Sequence, residues 1–129
     1  MVTAYVDTSA LAKLLSREAE TDALRGFLEA STVVASAIVR TELLRVGLRM
    51  GERYVEVAGA LLAGVAEVAV TRDRLDRAGR LAPAPLRTLD ALHLTTALDL
   101  GPDLDVLVAY DRRLLDAARQ HGLATASPS

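Results

Sequence analysis

The stretch TAYVDTSALAKLL, residues 3–15, contains the first two elements of the chain and the acid between them. A short apolar run ends at Val6, Asp7 follows at once, and apolar residues at helical spacing come next. This order predicts a β-strand joined directly to an α-helix. Asp7 at the joint can cap the helix, or it can point into a crevice and act chemically. A cap needs no partner, whereas a catalytic acid needs further acids at the same end of the fold.

Short apolar runs and helical stretches alternate along all 129 residues. Runs with strand character lie at residues 2–6, 32–36, 66–70, 105–110 and, weakly, 122–126. Helical spacing lies at 9–16, 20–30, 37–50, 52–64, 72–80, 89–100 and 111–120. Strands that are apolar throughout are typical of a parallel sheet that is buried on both faces. We therefore predict one domain, residues 1–129, of the α/β class: a three-layer α/β/α sandwich around a mostly parallel sheet of about five strands.

The composition excludes several classes of function. Aromatic residues make up only 3%, which disfavours a surface that stacks single-stranded bases. The absence of cysteine excludes disulfides, thiol nucleophiles and thiolate metal sites. No apolar stretch is long enough to span a membrane, and the first residues lack a secretory pattern, so we expect a cytoplasmic protein without membrane association. The net charge of −2 is less basic than that of a generic nucleic-acid binder.

Two further acids have settings that permit either a structural or a chemical role. Asp111 ends the apolar run DVLVAY and precedes a helix, where an aspartate commonly serves as an N-cap. Glu42 lies in SAIVRTELLRVGLRM on the apolar arc of the predicted helix, where an unpaired charge is unfavourable. Glu42 could instead lie at the edge of that arc and pair with Arg45 or Arg49. The sequence leaves both alternatives open.

The acid in RTLDALHLTTAL is the most informative of the set. Thr88 can cap this helix, and Asp90 then falls in its first turn, where the helix dipole favours an anion. The dipole does not explain why Asp90 shares the buried side with apolar residues. His93, one turn later, is either a metal ligand or, as is commoner for a histidine on such a face, a hydrogen-bonded core residue.

Four carboxylates that converge at the carboxyl end of a sheet would repel one another. Two of them about 5 Å apart oppose each other by roughly 3 kcal/mol at an effective dielectric constant near 20. A bound cation would relieve this repulsion, and an all-oxygen ligand set suits Mg²⁺ or Mn²⁺. Such ions take up phosphate oxygens and activate water for in-line attack on a phosphodiester.

Four segments, in order, resemble the four motifs of the PIN-domain nucleases: YVDTSALAKLL, SAIVRTELLR, RTLDALHLTTAL and VAYDRRLLDAARQHGL. The resemblance is closest to the VapC-type ribonuclease toxins of bacterial toxin–antitoxin pairs. By position it implies that the metal-binding catalytic acids are Asp7, Glu42, Asp90 and Asp111. It also implies that Ser9 or Thr8 supports the first acid. Family members often carry threonine two residues before the last acid, where this chain has Ala109.

The resemblance further implies a Mg²⁺- or Mn²⁺-dependent endoribonuclease, active as a homodimer on RNA and blocked by a VapB-like antitoxin. Five basic residues near the motifs are candidates for binding RNA phosphates: Lys13, Arg17, Arg45, Arg49 and Arg112. One alternative is a PIN scaffold without activity that only binds partners. A haloacid-dehalogenase-like phosphatase is less well supported, because Ser9 stands where that class has a second aspartate.

Overall fold

Five parallel strands form the centre of the computed structural model, which describes residues 1–129. Their bounds are β1 Val2–Val6, β2 Ser31–Ser36, β3 Ala66–Val68, β4 Val106–Val108 and β5 Thr125–Ala126. The strands lie in the order β3-β2-β1-β4-β5. In the central strand, Tyr5 pairs with Val34 of β2 on one side and with Leu107 of β4 on the other. The predicted α/β fold with a parallel five-stranded sheet is confirmed.

Seven α-helices connect the strands: α1 Thr8–Ala12, α2 Thr21–Glu29, α3 Ile38–Met50, α4 Glu52–Ala63, α5 Arg72–Ala78, α6 Thr88–Asp99 and α7 Arg112–Gln120. A short 3-10 helix, Gly101–Asp103, follows α6. None of the helices combines the length and the apolar character that crossing a membrane requires. The predicted elements all form, but α1 ends at Ala12 rather than at residue 16, and the strands β3, β4 and β5 are shorter than predicted. In each case pairing with the neighbouring strand covers only two or three residues.

Alternation along β1 divides the core between the two faces of the sheet. Ala4 and Val6 pack with the side chains of α1 to α4, whereas Tyr5 packs with those of α6 and α7. All three are fully buried. Burial on both faces explains why residues 4–6 of β1 are all apolar rather than alternating with polar residues.

Helices α3 and α4 form a hairpin whose backbones meet closely at Gly47. A Cβ atom at Gly47 would lie 2.8 Å from the carbonyl oxygen of Tyr54 and 3.2 Å from the backbone nitrogen of Val55. Both neighbours are backbone atoms, which cannot rotate away as the end of a side chain can. Glycine at this position therefore permits the helix pair that carries Glu42 to pack at this distance.

The carboxyl ends of β1 and β4 define the place where a site is expected. From β1 the sheet extends to β2 on one side and to β4 on the other, and the crevice at such a switch point binds ligands in open α/β sheets. Asp7 follows β1, and Asp111 follows β4 after two intervening residues. The sheet therefore brings the first and the last of the four motifs to one edge.

Candidate active site

Asp7 is both a helix cap and a buried acid. Its Oδ1 accepts a hydrogen bond from the backbone nitrogen of Ala10 at 3.1 Å, which caps α1. The hydroxyl of Ser9 donates to Oδ1 and Oδ2 at 2.7 and 2.8 Å. Burial raises the pKa of Asp7 above its ordinary value; the bonds from Ser9 oppose the shift, and the charge of Asp90 adds to it. With 4% of its surface exposed, Asp7 has hydrogen bonds but no arginine or lysine partner.

Glu42 faces inward from α3 and is held through one oxygen. Its Oε1 accepts hydrogen bonds from the hydroxyl of Thr8 at 2.8 Å and from Nε2 of His93 at 2.9 Å. Burial raises the pKa of Glu42, but its interactions with His93 and the bond from Thr8 outweigh burial and lower the pKa overall. The alternative in which Glu42 pairs with Arg45 or Arg49 is therefore wrong, because Glu42 turns to the sheet edge instead.

Thr8 and Ser9 divide the supporting role between two acids. The resemblance gave both as alternatives for supporting Asp7, and Ser9 does contact Asp7. Thr8 instead donates to Glu42, 34 residues away in sequence. Neighbouring residues at the start of α1 thus fix the carboxylates of two different motifs.

His93 is a hydrogen-bonded core residue. Only 2% of its surface is exposed, and its ring makes an edge-on contact with Tyr5 at a centroid distance of 5.9 Å. Its Nδ1 lies 2.7 Å from the hydroxyl of Tyr5, and its Nε2 binds Glu42. Sequence reasoning singled out His93 but could not identify these partners.

Arg87 links the other two acids. Its Nε donates to Oδ2 of Asp90 at 3.1 Å, and a terminal guanidinium nitrogen donates to Oδ2 of Asp111. Oδ1 of Asp111 accepts from the backbone nitrogens of Arg113 and Leu114 at 2.8 and 3.3 Å, so Asp111 caps α7 as its position in the sequence indicated. The role of Arg87 was missed, although its place three residues before Asp90 was a signal for such a pair.

The N-cap of α6 differs from the prediction. Arg87 occupies that position in an extended conformation and its side chain makes no capping bond, while Thr88 is already the first helical residue. The predicted cap at Thr88 is therefore wrong. The Arg87 side chain is directed to the two acids rather than to the helix end.

Contacts between neighbouring motifs place the four acids along the same edge of the sheet. The backbone nitrogen of Tyr110, which precedes Asp111, donates to the hydroxyl of Ser9 at 3.3 Å. Glu42 and Asp90 line the same cleft of about 400 Å³. Ser9 therefore contacts the segments of the first and the last acid, while its neighbour Thr8 contacts the second.

The donor set fits a hard divalent cation. Four carboxylates offer only oxygen, and neither Oε2 of Glu42 nor Oδ1 of Asp90 accepts a hydrogen bond from the protein. As the side chains stand, no three acids or histidines are grouped closely enough to hold one ion. Arg87 lies between Asp90 and Asp111, so a cation bound by both acids would require this side chain to move.

The five basic candidates differ in how far they are already paired. Lys13 forms salt bridges with Glu18 and Glu20 at 3.4 and 3.2 Å and lies 4.9 Å from the ring centre of Tyr110. Arg17 pairs with Asp22 at 2.6 Å on the exposed surface. The other three are exposed and make no ion pair: Arg45, Arg49 and Arg112.

Comparisons with known proteins agree with this architecture. The PIN domain family matches residues 4–120. Ribonuclease VapC46 of Mycobacterium tuberculosis is 45% identical over 130 residues, with 100% of each chain covered. Ribonuclease VapC47 of the same species is 42% identical, with 96% of each chain covered.

Solved structures show the same fold. The crystal structure of M. tuberculosis VapC20, a toxin described as cleaving the sarcin-ricin loop, matches with a TM-score of 0.78 at 20% identity, covering 98% of this chain and 100% of the other. A toxin–antitoxin complex from Klebsiella pneumoniae matches with a TM-score of 0.72 at 19% identity, covering 98% of each chain.

Proposed function

This chain belongs to the PIN-domain family, among its VapC-type members, and from that premise we propose that it is a metal-dependent endoribonuclease and the toxin of a type II toxin–antitoxin pair. The observation that supports the proposal is that hydrogen bonds through Thr8, Ser9 and Arg87 connect the segments of Asp7, Glu42, Asp90 and Asp111 at the carboxyl ends of the strands. Relatives that carry the name ribonuclease at 45% and 42% identity support the activity.

In this proposal each acid has a protein-held oxygen and a role toward the ion. Asp7 is buried and held by Ser9, so it serves as the fixed ligand at the base of the site. Glu42 and Asp90 present their unbonded oxygens to the cleft that they share. Asp111 completes the set while its other oxygen continues to cap α7. Bound Mg²⁺ or Mn²⁺ would supply the positive charge that binds phosphate and activates water.

The substrate and the partners follow from the same assignment. RNA is the substrate that the named relatives indicate, and the cytoplasm is where this protein would meet it. Structural neighbours include toxin–antitoxin complexes, which supports a VapB-like antitoxin as the partner that covers the acid site. We also propose a homodimer as the active form. Arg45, Arg49 and Arg112, which are exposed and unpaired, are the preferred candidates for phosphate contacts, ahead of Lys13 and Arg17.

Cleavage of RNA by purified protein tests the proposal directly. RNA should be cut with added Mg²⁺ or Mn²⁺ and should stay intact with EDTA. Asp7→Asn, Glu42→Gln and Asp90→Asn should each lower the rate at least about 100-fold, since each removes a charged ligand. Asp116→Asn is the matched control, because Asp116 is exposed and pairs only with Arg119 on the same helix. If the variant at one of these three acids cleaves RNA at the wild-type rate, that acid is not part of the site.

The same experiment separates an enzyme from an inactive scaffold. A scaffold would bind its antitoxin normally and leave RNA intact at every concentration of metal. The phosphatase alternative is disfavoured further because Lys13, the only lysine, is paired with Glu18 and Glu20. A phosphatase would release inorganic phosphate from a small phosphate ester, and we expect none.

A further inference from the structure

We propose that His93, anchored by Tyr5, is the residue that positions Glu42, so that one carboxylate oxygen of Glu42 stays free for the metal. The inference rests on the proposed function, in which Glu42 is a ligand. It adds that a buried hydrogen-bond chain from the sheet backbone fixes the carboxylate of that ligand and leaves one of its oxygens unbonded.

The direction of the hydrogen-bond chain follows from its last member. The carboxylate of Glu42 can only accept, so Nε2 of His93 donates to Oε1 at 2.9 Å. In the neutral imidazole Nδ1 is then an acceptor, and the hydroxyl of Tyr5, 2.7 Å away, donates to it. The same hydroxyl oxygen accepts a hydrogen bond from the backbone nitrogen of Ser36 at 3.0 Å.

The chain is rigid because it is buried. Tyr5 is fully buried and His93 is 2% exposed, so neither can exchange its partner for water. A tyrosine hydroxyl is protonated at neutral pH, so Tyr5 is able to donate. A buried donor or acceptor left without a partner costs about 1–3 kcal/mol, so the arrangement resists rotation of the imidazole.

Both protein bonds to Glu42 fall on the same oxygen. Thr8 and His93 donate to Oε1 from α1 and α6, two different elements of the fold. The two oxygens of a carboxylate are equivalent, so what the two donors fix is the plane and direction of the Glu42 carboxylate, with one oxygen left without a protein bond. Of the two donors, His93 is the one that is itself anchored to the sheet.

Two amide substitutions at position 93 separate positioning from packing. The amide nitrogen of glutamine can reach the place of the imidazole Nε2, so His93→Gln keeps a donor to Glu42. The shorter asparagine reaches only the place of Nδ1, so His93→Asn keeps the contact with Tyr5 and loses the donor. Both substitutions replace the ring by a smaller polar side chain. If His93 served only in packing, the two variants would bind Mn²⁺ equally well.

Calorimetric titration with Mn²⁺ is the readout, with melting midpoints in EDTA as the measure of folding. We expect His93→Asn to weaken Mn²⁺ binding by roughly 10- to 100-fold, the range for loss of a group that orients a ligand. His93→Gln keeps the donor to Glu42 but loses the bond to Tyr5, so its Mn²⁺ affinity should lie between those of His93→Asn and wild type. The midpoints in EDTA of the two variants should agree, since both lose the same ring. Equal Mn²⁺ affinities for the Asn and Gln variants would overturn the inference.

Tyr5→Phe provides a test that does not alter the histidine. It keeps the ring and removes the hydroxyl that anchors His93, so Mn²⁺ binding should weaken while Glu42 keeps its donor from Thr8. Wild-type affinity in Tyr5→Phe would also overturn the inference, and it decides the matter if the variants at position 93 do not fold.

Failure of the proposed function gives a different pattern. Wild-type protein that binds no Mn²⁺, or Glu42→Gln that binds it as tightly as wild type, would contradict the assignment of Glu42 as a ligand. If wild type binds and Glu42→Gln does not, full affinity in His93→Asn contradicts only the positioning role.

Discussion

Arg87 and Asp111, 24 residues apart in sequence, are joined by a hydrogen bond from the guanidinium to the carboxylate, and the same guanidinium binds Asp90. Arg87 therefore holds a positive charge between two of the four acids. Its side chain is 58% exposed, and ion pairs at such positions contribute little to stability. Its position relative to the acids has greater consequences for metal binding than for folding.

Replacing Arg87 should tighten metal binding. In Arg87→Gln the competing charge between Asp90 and Asp111 is removed, and a divalent cation no longer has to displace it. We expect Mn²⁺ affinity to rise roughly three- to tenfold, which corresponds to about the strength of one or two exposed ion pairs. Titration calorimetry at low ionic strength measures the change.

Arg113→Gln is the control for Arg87→Gln. Arg113 is exposed, lies two residues from Asp111 and makes no ion pair, so it reports the general effect of losing one positive charge. Its Mn²⁺ affinity should change by less than about twofold. Weaker binding in Arg87→Gln would mean that Arg87 holds the two acids in place for the metal.

Asp7→Asn should stabilise the metal-free protein at neutral pH. The pKa of Asp7 is raised in the folded state by burial, so its contribution to the free energy of unfolding is complete below about pH 3.9 and is lost as the pH rises through the raised pKa. Asparagine carries no charge, so the variant does not lose this stability as the pH rises. Its side-chain oxygen can still accept the hydrogen bond from the backbone nitrogen of Ala10. In EDTA we expect the midpoint of the variant to exceed that of wild type by several degrees at pH 7.5 and by less at pH 4.

Added Mn²⁺ should reverse the order at pH 7.5. A cation bound only by the folded state stabilises it by about 2.7 kcal/mol at a hundred times its dissociation constant. The wild-type protein should gain this stabilisation from Mn²⁺, and Asp7→Asn should not. A variant that melts below wild type in EDTA would show that the cap on α1 outweighs the cost of the buried charge.

Asp111 should be less sensitive than the other acids. Asp111→Asn keeps the oxygen that caps α7, and Ala109 departs from the threonine often found two residues before this acid. We expect a partial loss of RNA cleavage that high Mn²⁺ eases. Asp111→Ala also removes the cap, so it should lower stability by about 1 kcal/mol, measured by urea unfolding. A complete loss of cleavage in Asp111→Asn would rank this acid with Asp7.

Gly47→Ala should destabilise the fold through the helix hairpin. The added Cβ meets the backbone of Tyr54 at 2.8 Å, so α3 and α4 must move apart, and we expect a loss of about 1–3 kcal/mol. Gly59→Ala is the matched control within α4. Gly59 is exposed with no atom near its added Cβ, so alanine should stabilise by about 0.5–1 kcal/mol. Urea unfolding of both variants checks the difference, and a loss in both would point to a general effect of the substitution.

The fold could be read from local patterns because its elements are long or buried on both faces. The apolar run 2–6 predicted β1 with its observed bounds, and the helical spacing of 37–50 predicted α3 to within one residue. The edge strands were less predictable. Strand β5 consists of Thr125 and Ala126, and its pairing depends on β4 rather than on its own sequence.

The four candidate acids could be chosen from the sequence, but their hydrogen-bond partners could not be predicted from it. Each acid follows a strand or lies on an apolar helix face, and both are local features. The bonds from Thr8 and His93 to Glu42 join residues 34 and 51 positions apart, so they depend on how three elements meet in space. Arg87 was missed for the same reason, because its contact with Asp111 spans two secondary-structure elements.

The central position of β1 also constrains when the site can form during synthesis. Asp7 is among the first residues made, yet its strand pairs with β4, and Ser9 contacts Tyr110, 101 residues later. A nascent chain that lacks β4 exposes one edge of β1 and has no fourth acid. In the proposed function, the four-acid site is therefore incomplete until the segment that carries Asp111 has emerged from the ribosome and β4 has paired with β1.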